Sequence, residues 1–385
     1  MTGPLIYIVA SEPSGDQLGA ALMKALRAES HDQVRFAGLG GPLMVAAGLD
    51  TLFDVNDLAL LGVFEVLPKA RMVLKRVKQT VADIEAKQPQ LLVTIDSWGF
   101  TGRIHQRLTK KNSPIRRVRY VAPQVWAWRP KRARQLARWI HHLLTLLPFE
   151  PPYFERYGLP ATWVGHPVLE AGLAGGDGAA FRKRQGIASD RTVVGLFPGS
   201  RRSEVKKLLP IFKDALEHLA DRYPNLHIVA PTVSTVAHEV YTASRDWKVP
   251  VTVVMENADR ADAFAACEVA LAASGTVSLE LALAGVPHVI AYKVSPASAL
   301  AFRMLAKTRS VNLVNILVGH EAVSERLQGR CKADILADDL ALLLRDETRR
   351  VAQRADFAAA LSKLSPGDSP SRVAARTLLS LLPSK

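Results

Sequence analysis

Apolar residues along this 385-residue chain recur in two patterns. Short β-branched runs, most of them without polar alternation, occupy 5–10, 34–37, 91–95, 117–121 and 143–147. A second series occupies 192–197, 227–230, 251–254, 269–272 and 288–291. Amphipathic stretches lie between them, at 18–28, 65–81, 205–221 and 277–284. Runs with no polar face predict strands covered on both sides, and intervening helices predict parallel βαβ units. Two such series predict an α/β protein of two Rossmann-like domains. The break falls at 165–178, where Pro167 and the Gly/Ala-rich run from Ala171 to Gly176 interrupt both patterns. The expected domains are 1–165 and 166–345. A helical segment, 346–385, is expected to follow and to pack on the first domain or on a partner protomer.

Composition narrows the class. At 48% hydrophobic residues the chain excludes a disordered or fibrous protein. Cys267 and Cys331 are far apart and form no paired motif, so neither a disulfide scaffold nor a cysteine zinc site is expected. A reducing, cytoplasmic compartment follows from that usage. No secretory leader and no spanning run of about 18 apolar residues is expected. The net charge of +14 is concentrated: residues 103–138 hold 12 basic and no acidic side chains, and 69–78 hold five more basic ones. Such a field attracts phosphate, whether on nucleic acid, on lipid head groups or on a substrate.

Candidate chemistry sits at strand ends. Ser11-Glu12-Pro13-Ser14-Gly15-Asp16 joins the first strand to a helix, where a doubly wound sheet receives ligands. Ser14 and Gly15 are therefore candidate ligand contacts, although Ser14 would serve equally as a helix cap. Gly38-Leu39-Gly40-Gly41-Pro42 follows the second strand and permits a close backbone approach. In the second half, Gly199, Ser200 and Arg201 open a helix and offer amides and a cation to a diphosphate; Ser203 could simply cap that helix. Ser274, Gly275 and Thr276 open another helix, with Glu280 one turn in, where a carboxylate could accept from a ribose diol. Asp96 ends the apolar run 91–95 and is a candidate general base. His166 could face a ligand or be structural. No motif calls for a metal or a cofactor, and no nucleophile elbow or kinase signature occurs.

Taken together these segments resemble lipid-A-disaccharide synthase, an inverting glycosyltransferase family of the GT-B fold. The matching stretches are Ser11 to Asp16 with Leu18-Gly19-Ala20, Gly38 to Met44, Leu58 to Leu67, and Ile95-Asp96. They continue with Tyr120-Val121-Ala122-Pro123-Gln124-Val125-Trp126-Ala127-Trp128-Arg129, Leu147-Pro148-Phe149-Glu150 and Gly165-His166-Pro167. The second half adds Pro198 to Arg201, Ala273 to Glu280 and Leu313 to Gly319. The match is collinear over nearly the whole chain, and its Trp-Ala-Trp-Arg segment is the most specific part. Many relatives carry a second aspartate three residues after the position of Asp96, where this chain has Gly99.

The resemblance implies two Rossmann-like domains facing across a cleft. It implies transfer of 2,3-diacylglucosamine from UDP-2,3-diacylglucosamine to 2,3-diacylglucosamine 1-phosphate, giving a β-1,6-linked disaccharide and UDP. Asp96 would be the base, Arg201 and Ser274 to Thr276 would hold the diphosphate, and Glu280 the ribose. Asn315 and Gln328 match polar positions near the donor. The partners implied are those two lipids and the anionic inner-membrane surface, at its cytoplasmic face, with a homodimer as an option. Val63, Val66, Leu67, Arg71, Leu74 and Lys75 form an apolar stripe edged by cations, suited to that surface; the bland alternative is a core-facing stripe. Two other readings stay open: another UDP-sugar enzyme of the same fold, such as a peptidoglycan-type N-acetylglucosaminyltransferase or a 2-epimerase, and a nucleic-acid-binding protein. Against the latter, no nucleic-acid-binding signature accompanies the charge.

Overall fold

A strand such as Leu91–Ile95, buried at every position, has no face for solvent and must be covered on both sides. The computed structural model builds both halves on that rule, describing residues 3–55, 66–255, 259–294 and 310–383, with no side-chain description for 66–70. The chain divides into two compact units, Met1–Pro167 with Leu364–Lys385, and Val168–Lys363.

In the first unit, β1 (Leu5–Ala10), β2 (Arg35–Leu39), β3 (Leu91–Ile95), β4 (Arg116–Tyr120), β5 (His142–Thr145) and β6 (Ala161–Trp163) form one parallel sheet. Its order is β2-β1-β3-β4-β5-β6. The chain leaves β1 in one direction and returns to its other side, so the switch point lies between β1 and β3. Helix Pro13–Glu29 covers one face, with Leu18, Leu22 and Leu26 in the core. Helix Val66–Lys87 covers the other with Val77, Val81 and Ile84. Helix Pro370–Ser380 packs on Pro13–Glu29 and is tied to it by Arg372 and Arg376, both paired with Glu29.

The second unit repeats the plan. Strands β7 (Thr192–Phe197), β8 (Leu226–Pro231), β9 (Val251–Val254), β10 (Val269–Ala273), β11 (His288–Tyr292) and β12 (Glu325–Leu327) run in the order β12-β11-β10-β7-β8-β9, all parallel. The switch point here lies between β7 and β10. Helices Arg202–Ala220 and Ala333–Arg345 pack together and bury Leu208, Phe212, Leu336 and Leu340. The segment expected as one piece over 346–385 is divided: helix Glu347–Leu364 belongs almost wholly to this unit, and Pro370–Ser380 to the first. Strands β6 and β12, three residues each, were not among the expected elements.

Candidate functional site

Register sets the first site. Ala10 and Ile95 are paired at the ends of β1 and β3, so Ser11 and Asp96 emerge side by side. Asp96 and Ser97 both take left-handed backbone, with φ of 45° and 46°. Two consecutive non-glycine residues there cost of order 1–3 kcal/mol each, and such strain persists only where surrounding contacts enforce it. Those contacts are visible. The Thr101 hydroxyl donates to the Asp96 carbonyl at 2.7 Å and the Ser97 carbonyl at 3.0 Å. Arg119, 1% exposed, donates from Nη1 to the Thr101 hydroxyl at 2.8 Å and from Nε to the Val121 carbonyl at 3.0 Å. Its Nη2 lies 3.6 Å from Asp96 Oδ1. Burial pushes the Arg119 guanidinium down to about 10, while Asp96 pulls it back up and Arg132 opposes. The Asp96 side chain is 51% exposed, less buried than its place at a strand end suggested.

Around this pair stands an arginine–tryptophan cluster. Arg119 and Arg132 both lie over the Trp98 ring, at 5.6 and 4.8 Å from its centroid. Arg132 also lies over Trp128 at 5.6 Å, and Arg129 over the same ring at 4.3 Å. Trp98 meets Trp139 at 5.6 Å. Trp126 stands apart from these rings in its role: it is buried, with its indole donating at 3.2 Å to Glu150. Glu150 also accepts from the Leu146 and Leu147 amides, and burial pushes it up to about 7. Behind the sheet, buried His105 contacts the Thr94 hydroxyl at 2.7 Å and is held well below its usual value, first by burial and then by Arg119 and Arg117.

The glycine motifs serve the scaffold. Asp16 caps helix Pro42–Ala46, accepting from the Leu43 and Met44 amides at 3.0 Å. A side chain at Gly41 would meet that carboxylate at 2.6 Å, which explains the glycine. The N-cap of helix Pro13–Glu29 is Glu12 with Pro13 behind it, so Ser14 is not the cap and is exposed. Gly15 is buried against the ends of β1 and β3. His166 is buried, its imidazole lowered to about 4 by desolvation, which suits a neutral structural group.

In the second unit, Phe197 pairs with Ala272, so the loops after β7 and β10 leave the sheet together. Gly199 has φ of 110°, a conformation that strains any side chain. Ser200 is exposed and its carbonyl is held by Thr235 at 3.2 Å. Arg201 is the N-cap of helix Arg202–Ala220, so Ser203 is not, and it pairs with Glu204 at 2.9 Å while 72% exposed. Ser274 and Gly275 precede Thr276, the N-cap of helix Val277–Leu283. Glu280, in its first turn, is paired with Arg260 at 2.7 Å. Gln328 follows β12 in left-handed backbone, φ 52°.

Asn315 is held by the scaffold around it. It is 4% exposed; its carboxamide accepts from the Val323 amide and donates to the Val323 carbonyl and Glu325, each at 2.8 Å. Those bonds hold the loop before β12. In helix Val66–Lys87, Arg71 and Lys75 are exposed and Leu74 is 45% exposed, whereas the same stripe from Val77 onward is core. Val63 and the side chains of Val66 and Leu67 lie outside the described residues. The sequence reading missed Arg119, Arg132 and Trp98. The available signal was Arg117 and Arg119 alternating within a strand that had to be covered on both faces.

Two Rossmann-like units, each with polar residues gathered at its switch point, define the GT-B class of sugar-nucleotide enzymes, within which this chain is a glycosyltransferase. The family model for lipid-A-disaccharide synthetase matches residues 6–375. A lipid-A-disaccharide synthase of Rhodospirillum centenum is 50% identical over 379 residues, covering 98% of this chain and 94% of that one. Among solved structures, the UDP-GlcNAc 2-epimerase of Neisseria meningitidis bound to UDP-GlcNAc superposes with a TM-score of 0.64 at 11% identity, covering 98% and 99% of the two chains. The glycotransferase of kitacinnamycin superposes at 0.62 with 16% identity and full coverage of both. These two likenesses concern the fold. The chain belongs to the lipid-A-disaccharide synthetase family and works in lipid A biosynthesis.

Proposed function

We propose that the chain transfers 2,3-diacylglucosamine from its UDP conjugate to the 6-hydroxyl of 2,3-diacylglucosamine 1-phosphate. Asp96 accepts the hydroxyl proton as the oxygen attacks the anomeric carbon. The carbon–phosphate-oxygen bond breaks with inversion, and UDP leaves. The observation that carries this reading is the Asp96 carboxylate, held at a strand end on strained backbone over a buried arginine. Holding a base in one geometry removes part of the orientational barrier.

For the leaving UDP, the loops at Gly199–Ser200 and Gly275–Thr276 offer backbone N–H groups, and Arg201 an exposed cation, to the charge that grows on the diphosphate. Glu204 then gives up Arg201. Glu280 turns to the ribose diol while Arg260 keeps its charge compensated. Among the described residues no helix is long and apolar enough to cross a membrane, so the acyl chains are met at a surface. We assign docking on the cytoplasmic face of the inner membrane to the start of helix Val66–Lys87, where Leu74 leaves the core between Arg71 and Lys75. Leu74→Ser with Arg71→Glu should cut binding to anionic vesicles, and the wild-type binding should weaken in high salt. The transfer itself is tested by UDP release with and without the 1-phosphate acceptor. Release that needs the acceptor and yields a disaccharide 1-phosphate is expected. Epimerised or hydrolysed donor without acceptor would refute the reading.

A further inference from the structure

Arg129 and Arg132 stand side by side as cations. Among the described residues no carboxylate pairs with either, and Arg132 is lowered by burial and by Arg129. What they touch is aromatic: both reach the Trp128 ring, and Arg132 also lies over Trp98. A guanidinium with its faces on aromatic rings keeps only its in-plane N–H edge for a partner, and that edge matches two oxygens of a phosphate. Arg129 adds left-handed backbone, φ 50°, a further cost met at this turn. Keeping two like charges together without a counter-ion is unfavourable unless something else offsets it.

Position identifies the anion. The Trp98 ring that carries Arg132 also carries Arg119, and Arg119 holds Asp96. Arg132 is thus one aromatic ring away from the proposed base's own arginine. In a glucosamine 1-phosphate the phosphate on C1 and the hydroxymethyl on C5 flank the ring oxygen, so the 6-hydroxyl and the phosphate leave one pyranose ring as near neighbours. A base for the hydroxyl and a cationic seat for the phosphate must therefore lie within about a sugar's width of each other. We infer that Arg132, supported by Arg129, is the seat of the acceptor's anomeric phosphate and selects phosphorylated over unphosphorylated acceptor. The inference rests on the proposed transfer reaction and adds to it a specificity-determining pair.

The test measures kcat/KM for 2,3-diacylglucosamine 1-phosphate and for 2,3-diacylglucosamine, both in neutral detergent micelles at saturating donor. Wild type should favour the phosphorylated acceptor. Arg132→Gln should raise KM for that acceptor by about 10–100-fold, the usual worth of a hydrogen bond to a charged group. The unphosphorylated acceptor should lose far less, so the preference collapses. Arg132→Lys should restore part of it. Should Arg132→Gln fail to fold, exposed Arg129→Gln carries the same prediction with a smaller shift. Equal losses on both acceptors, or an undiminished preference, would overturn the assignment. Binding to phosphatidylglycerol vesicles should be the same for Arg132→Gln and wild type; lost vesicle binding with the acceptor preference intact would show a seat for lipid head groups instead. A wild type that transfers to neither acceptor would refute the proposed reaction and not this pair alone.

Discussion

The two switch points share a topology and differ in electrostatics. At the first, Asp96 is anchored to an arginine that is 1% exposed and held by two further hydrogen bonds. At the second, Arg201 pairs with Glu204 while 72% exposed. Exposed ion pairs are worth about 0–1 kcal/mol and exchange readily, whereas a buried charge cannot lose its partner cheaply. The first site is therefore built before ligand arrives. On the proposed reading, the second is remade when a diphosphate replaces the glutamate.

Arg201→Ala probes that contrast most strongly. Its transfer barrier should rise by about 2–4 kcal/mol, while folded stability should change by less than about 1 kcal/mol. Arg201→Lys should recover only part of the rate, lacking the planar fork. Steady-state kinetics beside a urea unfolding curve separate the two effects; a large stability loss would place Arg201 in the scaffold.

Glu150 sharpens the same point, as an ionisable group buried in the turn after β5 of the first unit. Its carboxyl is raised from 4.5 to about 7 in the folded chain. Between those values the folded state keeps a proton that the unfolded state releases. Its contribution is therefore complete below about pH 4.5 and lost as pH climbs to 7, by roughly 3 kcal/mol. His166 and His288, both lowered to about 4, act with the opposite sign from pH 4 to 6.5. The Glu150 part is thus read as the difference in pH slope between wild type and Glu150→Gln. Identical slopes would contradict it.

Smaller effects discriminate more finely. Thr101→Val strands the Arg119 Nη1 donor and frees the Asp96 turn, and should cost about 1–3 kcal/mol in unfolding free energy. Gly99 is helical and exposed, and an added Cβ there would meet only the far end of Arg103, at 3.9 Å. Gly99→Ala should raise stability by up to about 1 kcal/mol. A loss would mean that the first turn needs the glycine's freedom.

Most of the fold was legible because these strands carry no polar residue beyond a single threonine: 5–10, 91–95, 192–197 and 251–254 were bounded correctly from pattern alone. The three-residue strands β6 and β12 carry too few apolar positions to form a run. Asp96 was legible because a carboxylate closing an apolar strand is conspicuous. Arg119 was not, because only the register between β3 and β4 sets it beneath that carboxylate. Asn315 shows the converse: a polar residue in a matching motif whose carboxamide ties its helix to Val323 and Glu325 at the start of β12. Glu280 was placed at its helix start, but its pairing with Arg260, 20 residues away, is a tertiary fact.

The central claim is that the base and the nucleotide seat belong to different units and can be damaged separately. Asp96→Asn tests it most directly, measured for turnover and for UDP affinity on the same preparation. Turnover should fall by a factor on the order of 10² or more, because size and hydrogen bonding stay while basicity goes, and UDP affinity should match wild type. Near-normal turnover in that variant, or a loss of UDP binding equal to its loss of rate, would contradict the account.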